Sequence, residues 1–600
     1  MAAVGILVAQ AMGSATFAAT GDVARTGARS ALMNVASAAA PFQSNLQAWP
    51  TMAVDPVNTD VLAATANDWV DMQPCSKQAA VTGAGCGLPA ADPNVGGSSN
   101  RGVGFTGVYF SFDRGRRWTQ PTFQGLTAAG CSPTVEPCTA QPGPIHTIPN
   151  YYENGLRTRG GPSAAFGPVL RDGKFSWKNG SRLYLSTTGG TLTNSAIDPG
   201  RLDSSKAIMV SHIDNATPTR VADQSNWSKP VTVPESAPAI STPTAAQVWA
   251  DNAGSSRYFG RVYTCYNDFL YSVVPGNVGP IQPTVGVSSD GGQTWQTHKI
   301  APPVDSAGDG HRVFCTVRTD SRGVVYAFFT HYSGTFPSFE QTAAQSMMKS
   351  FDGGATWTEP VDILPMNTGC NYVDKLSFRC VDAGPAGNPQ EPQPNVSIAN
   401  GAPTGADATD EIVFAWDDGR LGQDKQAAFL SHSSDRGRTW STPEAVSRPG
   451  ERELFTSVAI APDASRVYVT YMAFTTPFRP TTSTPRLLRG VLRSAAIGRN
   501  GAPVRWTTDY VGPTGDARGT SFGVWNYSEF LGFGVSAIAT RRYGAGTWTD
   551  VSRAADCPAI DAWRQASNEA GKVLTPAPWP LADCPANFGN SDIVSATTAR

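Results

Sequence analysis

Four aspartates stand in the same eight-residue frame, and carboxylates at fixed spacing are the first candidates for chemistry in this chain. The frame reads Ser111-Phe112-Asp113-Arg114-Gly115-Arg116-Arg117-Trp118 and returns at Ser288–Trp295, Ser350–Trp357 and Ser433–Trp440. Ser, Asp, Gly and Trp keep positions one, three, five and eight each time. Asp113, Asp290, Asp352 and Asp435 could in principle be an acid/base set, since two-carboxylate glycoside hydrolysis works with carboxyl groups about 5–10 Å apart. A residue that recurs once per repeat is spread around the molecule instead, so these four are expected to be structural. The pattern suits a hairpin corner. The Asp accepts backbone N–H bonds, Gly supplies a positive φ, and Trp118, Trp295, Trp357 and Trp440 fold back to bury a large ring.

These corners resemble the Asp box of sialidases and related bacterial repeat proteins. The resemblance implies an all-β fold, a β-propeller of four-stranded antiparallel blades in which each box closes an outer hairpin. Spacing then counts the blades. The box serines lie 177, 62 and 83 residues apart, and a blade takes about 40–50 residues plus its loops. The shorter gaps hold one blade each, and the longest hides another. Ser163–Phe166, Arg182–Ser186 and Ala207–Ser211, ending at Trp227, supply it, with the Asp and Gly of the corner lost. Two further sets of strands follow the last box, the final one using Phe530–Ile538, Gly546–Asp550 and Asp592–Ala596, with Cys557–Cys584 in a long loop. Seven blades are preferred, against the six of sialidases proper.

Composition agrees. The 600 residues include 60 Gly, 46 Pro and 15 Trp, which suits short strands joined by turns and argues against a helical protein. Apolar residues at 40% supply a large core, and charged residues are only 16%. The formal net charge of −2 gives no electrostatic case for nucleic acid or an anionic membrane. No run of about 18 apolar residues predicts a membrane span. Residues 1–40 are set aside as a signal-like or disordered segment: Val4–Met12 is apolar, but no basic residue precedes it. Residues 41–600 form the propeller, expected as a monomer.

Ten cysteines fall into local pairs: Cys75 with Cys86, Cys131 with Cys138, Cys265 with Cys315, Cys370 with Cys380, and Cys557 with Cys584. No Cys-x-x-Cys motif occurs, and six histidines are too few for a zinc site. Disulfides in a secreted protein are the expected reading. No cofactor or catalytic metal is expected; a structural calcium stays open. The pairs Asn67-Asp68, Asn267-Asp268, Asp417-Asp418 and Thr549-Asp550 recur at strand ends, where turn chemistry is the ordinary role.

The working surface of a propeller is one mouth of its central channel, so the residues just before each blade's first strand are the candidates. Those segments carry Arg159 with Arg157, His311 with Arg312, Glu391 with Gln393, Arg452 with Glu453, and Tyr527 with Glu529. The family resemblance gives them roles. Arg159, Arg312 and Arg452 would clamp a substrate carboxylate, a geometry guanidinium forks suit. Tyr527 would be the nucleophile, Glu529 or Glu453 its base, and Asp68 or Asp251 the acid. Glu391 and Trp525 would bind substrate, and Trp49, Trp69, Trp249 and Tyr258 offer rings for stacking on sugars. One departure stands out: the Phe/Tyr-Arg-Ile-Pro motif of sialidases is absent, and His146-Thr147-Ile148-Pro149 has Thr in the place of its Arg. The expected function is a sialidase-like exo-glycosidase acting on a glycan; the rival is a non-catalytic propeller that binds glycans or proteins at the same mouth. No Gly-x-Ser-x-Gly elbow, His-Glu-x-x-His or phosphate loop offers other chemistry.

Overall fold

The computed structural model describes residues 27–35, 45–72, 103–132, 140–191, 207–234, 241–270, 280–305, 310–333, 342–367, 372–376, 380–381, 384–388, 393–521 and 529–598. Seven antiparallel sheets stand around a central axis as the blades of a propeller. Their innermost strands are Gln47–Val54, Ser163–Arg171, Ser241–Ala250, Arg312–Thr319, Asn395–Ile398, Arg452–Ile460 and Ser536–Ala539. Each packs beside the innermost strand of the next blade, and the seventh returns to the first. Six blades have four main strands; in blade one the outermost shrinks to a bridge between Phe110 and Thr119. The hidden blade inferred from spacing is real, with strands Ser163–Arg171, Lys174–Thr191, Ala207–Asp214 and Val231–Thr232.

The ring is sewn together by small hydroxyl side chains on the innermost strands. Thr51 Oγ1 donates to the Pro162 carbonyl (3.4 Å) and Ser163 Oγ accepts from Val248 N (3.2 Å). Thr316 Oγ1 donates to the Pro394 carbonyl (2.9 Å), and Ser397 Oγ accepts from Ile460 N (3.2 Å). Ser457 Oγ accepts from Ala537 N, and Ser536 Oγ from Met52 N, each at 3.1 Å. Between blades three and four the Cys265–Cys315 disulfide takes this place, helped by Trp249 Nε1 donating to Thr319 Oγ1 at 2.9 Å. Backbone groups that face the axis thus find partners in the neighbouring blade.

The Asp boxes form the turns between third and fourth strands. In every box Ser Oγ donates to Asp Oδ1 at 2.8–3.0 Å and accepts the Gly N–H at 2.8 Å. The same Oδ1 accepts the backbone N–H four residues on at 2.9 Å. Positions four and five are both left-handed, Gly353 and Gly354 at φ 75° and 96° in one box, Arg436 and Gly437 at 62° and 74° in another. Burial acts to raise the Asp352 pKa, but bonds from the Thr356 side chain and N–H, Ser350 and Ala355 N–H outweigh it and hold the carboxyl at about 2. Trp118, Trp295, Trp357 and Trp440 each lie against a different hydrophobic cluster.

Two expectations need correction. The boundary at residue 40 is too late, because Arg29–Leu32 pairs antiparallel with Asp592–Thr597 as the outermost strand of blade seven. This joins the two ends of the chain and buries Met33. The Cys557–Cys584 segment, expected as a long loop, contains the helix Pro558–Ala570, opened by its first-turn Pro and closed by Gly571 in the left-handed conformation. Both Cys265–Cys315 and Cys557–Cys584 are disulfides. Cys131 and Cys380 are also disulfide-bonded, whereas Cys75, Cys86, Cys138 and Cys370 lie outside the described residues.

Candidate functional site

The face where innermost strands begin carries most of the residues singled out in the sequence. Arg159, Arg312 and Arg452 sit at the starts of blades two, four and six, each with its own surroundings. The Arg159 backbone N–H donates to the Thr188 carbonyl (2.7 Å), Arg312 Nη1 donates to the Gly310 carbonyl (3.2 Å), and Arg452 Nε pairs with Asp424 at 2.6 Å. Burial lowers the Arg312 pKa, with Asp362 and Glu359 opposing. Glu453 is buried and shares the single hydroxyl proton of Thr456 with Asp417. Glu391, Trp525 and Tyr527 lie outside the described residues.

Glu529 is held inside a charge network. Its Oε1 accepts from Arg486 Nη1 at 2.5 Å and Arg564 Nη2 at 3.4 Å, and all three side chains are at most 1% exposed. Arg564 also reaches Asp561 (3.2 Å), and Asp561 reaches Arg518 (2.5 Å). The helix Pro558–Ala570 supplies Asp561 and Arg564, so the network ties that helix to blades six and seven. Burial pushes Asp561 up to about 6 despite both arginines.

Three of the four recurring polar pairs act as clamps between blades, while in the fourth Thr549 Oγ1 donates to the Leu531 carbonyl of its own blade at 3.1 Å. Asn67 Oδ1 accepts from Gly161 N at 2.9 Å, and Asn267 Nδ2 donates to the Arg312 carbonyl at 3.0 Å. Asp417 accepts from Phe455 N (2.9 Å) and Thr456 Oγ1 (2.6 Å). In each case the first residue of the pair fixes the start of the next blade's inner strand, at Phe455 across a bulge with φ 57°. Asp68 turns inward and accepts from Tyr109, Gln47 and Gln120 at 2.7–3.0 Å, and its pKa is raised by burial. These carboxylates are saturated with protein donors. Among the described residues no group of three or more His, Cys, Asp or Glu is placed to hold a metal ion.

The space for a ligand lies along the axis. All seven innermost strands line a channel of about 560 Å³, within the range of small-molecule sites. Its walls carry Thr51, Gln247, Trp249, Gln393, Asn395, Ser397, Ser457 and Ser536. Strand alternation explains this: Gln393, Asn395 and Ser397 are partly accessible, while Pro394, Val396 and Ile398 between them are buried. At the strand-start end Trp49 packs edge-on to Phe533, 4.9 Å between centroids. The Asp-box end is lined by Asp60, Arg114, Asn252, Asn400, Arg541 and Arg542. The loop after blade five's inner strand bridges part of this end, where Trp177 Nε1 donates to the Pro403 carbonyl (3.0 Å) and Arg541 Nη1 to the Ala402 carbonyl (2.7 Å). Inside, the Arg318 guanidinium lies 4.8 Å from the Trp249 ring centroid. Arg318 was not singled out in the sequence. Its signal was an Arg on the channel-facing side of the inner strand Arg312–Thr319, readable only once the strand's register was known.

The fold therefore defines a seven-bladed β-propeller with Asp-box turns and an axial channel. No protein-family model matches the chain, and no curated protein matches it. Solved structures are similar at low identity. A Hadza microbial sialidase is 12% identical over 72% of this chain and 65% of that one, with TM-score 0.38. Trypanosoma rangeli sialidase is 12% identical over 72% and 53%, with TM-score 0.35. An alpha-L-arabinofuranosidase from Fusarium graminearum is 11% identical over 75% and 94%, with TM-score 0.37. The chain spans less than two thirds of the length of the two sialidases. Likeness at this level carries no argument about activity.

Proposed function

We propose that the chain is a carbohydrate-binding propeller that holds its ligand in the axial channel without cleaving it. The observation that carries this reading is the channel wall. Amides and hydroxyls converge there with the Trp249 ring, the mixture that orients a sugar's hydroxyls and covers its apolar face. Ser397, Ser457 and Ser536 use their oxygens as acceptors from the backbone, which leaves each hydroxyl proton to donate. The Asp-box resemblance supports a glycan-directed role, and the two cross-links fit an exported protein in an oxidising compartment.

The rival is an exo-glycosidase of sialidase type at the opposite face, with Tyr527 as nucleophile and Glu529 or Glu453 as base. That chemistry needs a carboxylate free to take the phenol's proton. Glu529 is held by two buried arginines and Glu453 by Thr456, which weighs against it. A glycan array followed by calorimetry, run beside fluorogenic sialosides, arabinofuranosides and hexosides, tests the choice. Binding without release of the fluorophore is expected. Turnover that disappears in Tyr527→Phe would restore the hydrolase, and absence of binding to any carbohydrate would end the present reading.

A further inference from the structure

Arg318 differs from Arg114 and Arg541, which also line the channel. Arg114 pairs with Asp60 at 2.6 Å, and Arg541 with Asp407 at 2.6 Å. For Arg318 no carboxylate lies within ion-pair distance among the described residues. Its Nη1 donates to the Val317 carbonyl at 2.8 Å, and its guanidinium lies over Trp249. Burial alone, with no compensating charge, draws its pKa down to about 10, so it stays cationic at neutral pH. Holding a guanidinium inside a protein without a counter-charge is unfavourable for folding. A ring and one carbonyl satisfy only part of its donor set, since a guanidinium carries five N–H groups in a planar fork.

The surroundings supply what a ligand with one negative charge would need. Gln393 is partly accessible on the channel wall, and its Nε2, enclosed behind that surface, has no hydrogen-bond partner among the described residues. Asp60 is an acidic group on the lining, but it is already paired with Arg114. Arg542 adds positive charge at the Asp-box end, where Arg541 is paired with Asp407. The lining thus carries more arginine than carboxylate, and the rest of it is neutral, partly hydrogen-bonding and partly apolar.

Resting on the carbohydrate reading above, we propose that the channel selects a carboxylated monosaccharide, a uronic-acid-type sugar, whose carboxylate is held by Arg318 beside Trp249 while its hydroxyls meet Gln393, Asn395 and Ser457. The sugar enters from the Asp-box face, since Trp49 and Phe533 occupy the other end. A planar carboxylate fits the guanidinium fork, and a neutral hexose leaves the cation uncompensated.

Calorimetric titration of the full chain with glucuronate and with glucose, which differ at one carbon, reads the charge directly. Glucuronate is expected to bind more tightly, by about 10- to 100-fold, as hydrogen bonds to a charged group would give. Arg318→Gln should abolish that preference, bringing glucuronate to the affinity that glucose shows for the same variant, with its unfolding midpoint as the check on folding. Arg318→Lys, which keeps the charge but not the fork, should lie between the two. Equal binding of both sugars, or a preference that survives in Arg318→Gln, overturns the inference and leaves the carbohydrate reading intact. So does full displacement of glucuronate by inorganic sulfate at equal concentration, which would mark a plain anion site. Failure of every carbohydrate to bind removes both.

Discussion

Arg182 reaches out of blade two and donates from Nη1 to the carbonyl of Gly291, 2.8 Å away inside the Asp box of blade three. The same reach recurs around the ring. Arg261 of blade three donates to the Gly353 carbonyl at 2.9 Å, and Lys349 of blade four donates to the Arg436 carbonyl at 2.6 Å. The left-handed turn of these three boxes aims a carbonyl backwards, and a cation from the preceding blade caps it. The Asp box is therefore a joint between blades as well as a hairpin corner. Arg261→Ala and Lys349→Ala are each expected to lower stability by about 1–2 kcal/mol, the scale of one charge-assisted hydrogen bond. In chemical denaturation the two losses should add, because the sites share no partner. Sugar binding in the channel should not change.

The strand Arg29–Leu32 closes the ring, and removing it is the second test. Deleting residues 1–35 takes away the pairing with Val594–Thr597 and the buried Met33. It also removes Asn34, whose Nδ2 donates to Asp592 at 2.9 Å and whose Oδ1 accepts from Ile593 N at 2.8 Å. The loss should reach about 2–5 kcal/mol from the apolar burial alone, and the bared edge of blade seven should promote self-association. Thermal unfolding with light scattering on the truncated and full chains measures both. An unchanged midpoint with a monomeric truncated protein would contradict this closure.

Much of this architecture was legible in the chain, and the parts that were not share a cause. The Asp boxes gave a ruler, and Trp227 with three strands exposed the blade that has no box. Turn chemistry and strand alternation are local, so they survive in the sequence. The pairing of Ser30 with Ala596 is not local, and nothing in an Ala- and Ser-rich segment announces a partner at the far end of the chain. The tie between Glu529 and Arg486 depends in the same way on which strand starts meet in space. Glu529 beside Tyr527 reads as a catalytic pair in sequence; in the fold its carboxylate faces two arginines. The helix Pro558–Ala570 is a different case, since Pro558 and Gly571 are ordinary start and stop signals, outweighed by the expectation of a loop between cysteines.

Glu529 gives the third prediction. Glu529→Ala leaves Arg486 buried without its counter-charge beside Arg564, which keeps Asp561, and losing one member of a buried ion pair costs about 3–5 kcal/mol. Glu529→Gln keeps the shape and one acceptor, so its loss should be smaller. Both variants, wherever they fold, should bind sugar as the parent does. A Glu529→Gln protein of normal stability that loses a measurable glycosidase activity would instead return Glu529 to a catalytic role.

The fourth prediction concerns pH and is best measured as a difference between variants. Burial pushes Asp251 up to about 7, against a bond from Ser256 Oγ at 2.5 Å and with the charge of Asp320 adding to the rise. An unfolded Asp titrates near 4. Between those values the folded chain holds a proton that the unfolded chain has released, so stability contributed by this group is full below about pH 4 and falls as pH rises toward 7. His212, kept neutral down to about 4 by burial and by Arg182, works in the opposite sense, since its contribution is lost on acidification from about 6.5. The parent's own profile therefore mixes opposing slopes. Asp251→Asn isolates one of them, because Asn mimics the protonated acid at every pH. The variant should match the parent near pH 4 and become progressively more stable relative to it up to about pH 7, by at most about 4 kcal/mol, with no further gain above. Urea unfolding at half-unit steps from pH 4 to 8 gives this curve. A difference that stays constant across the range would mean Asp251 ionises normally in the folded protein.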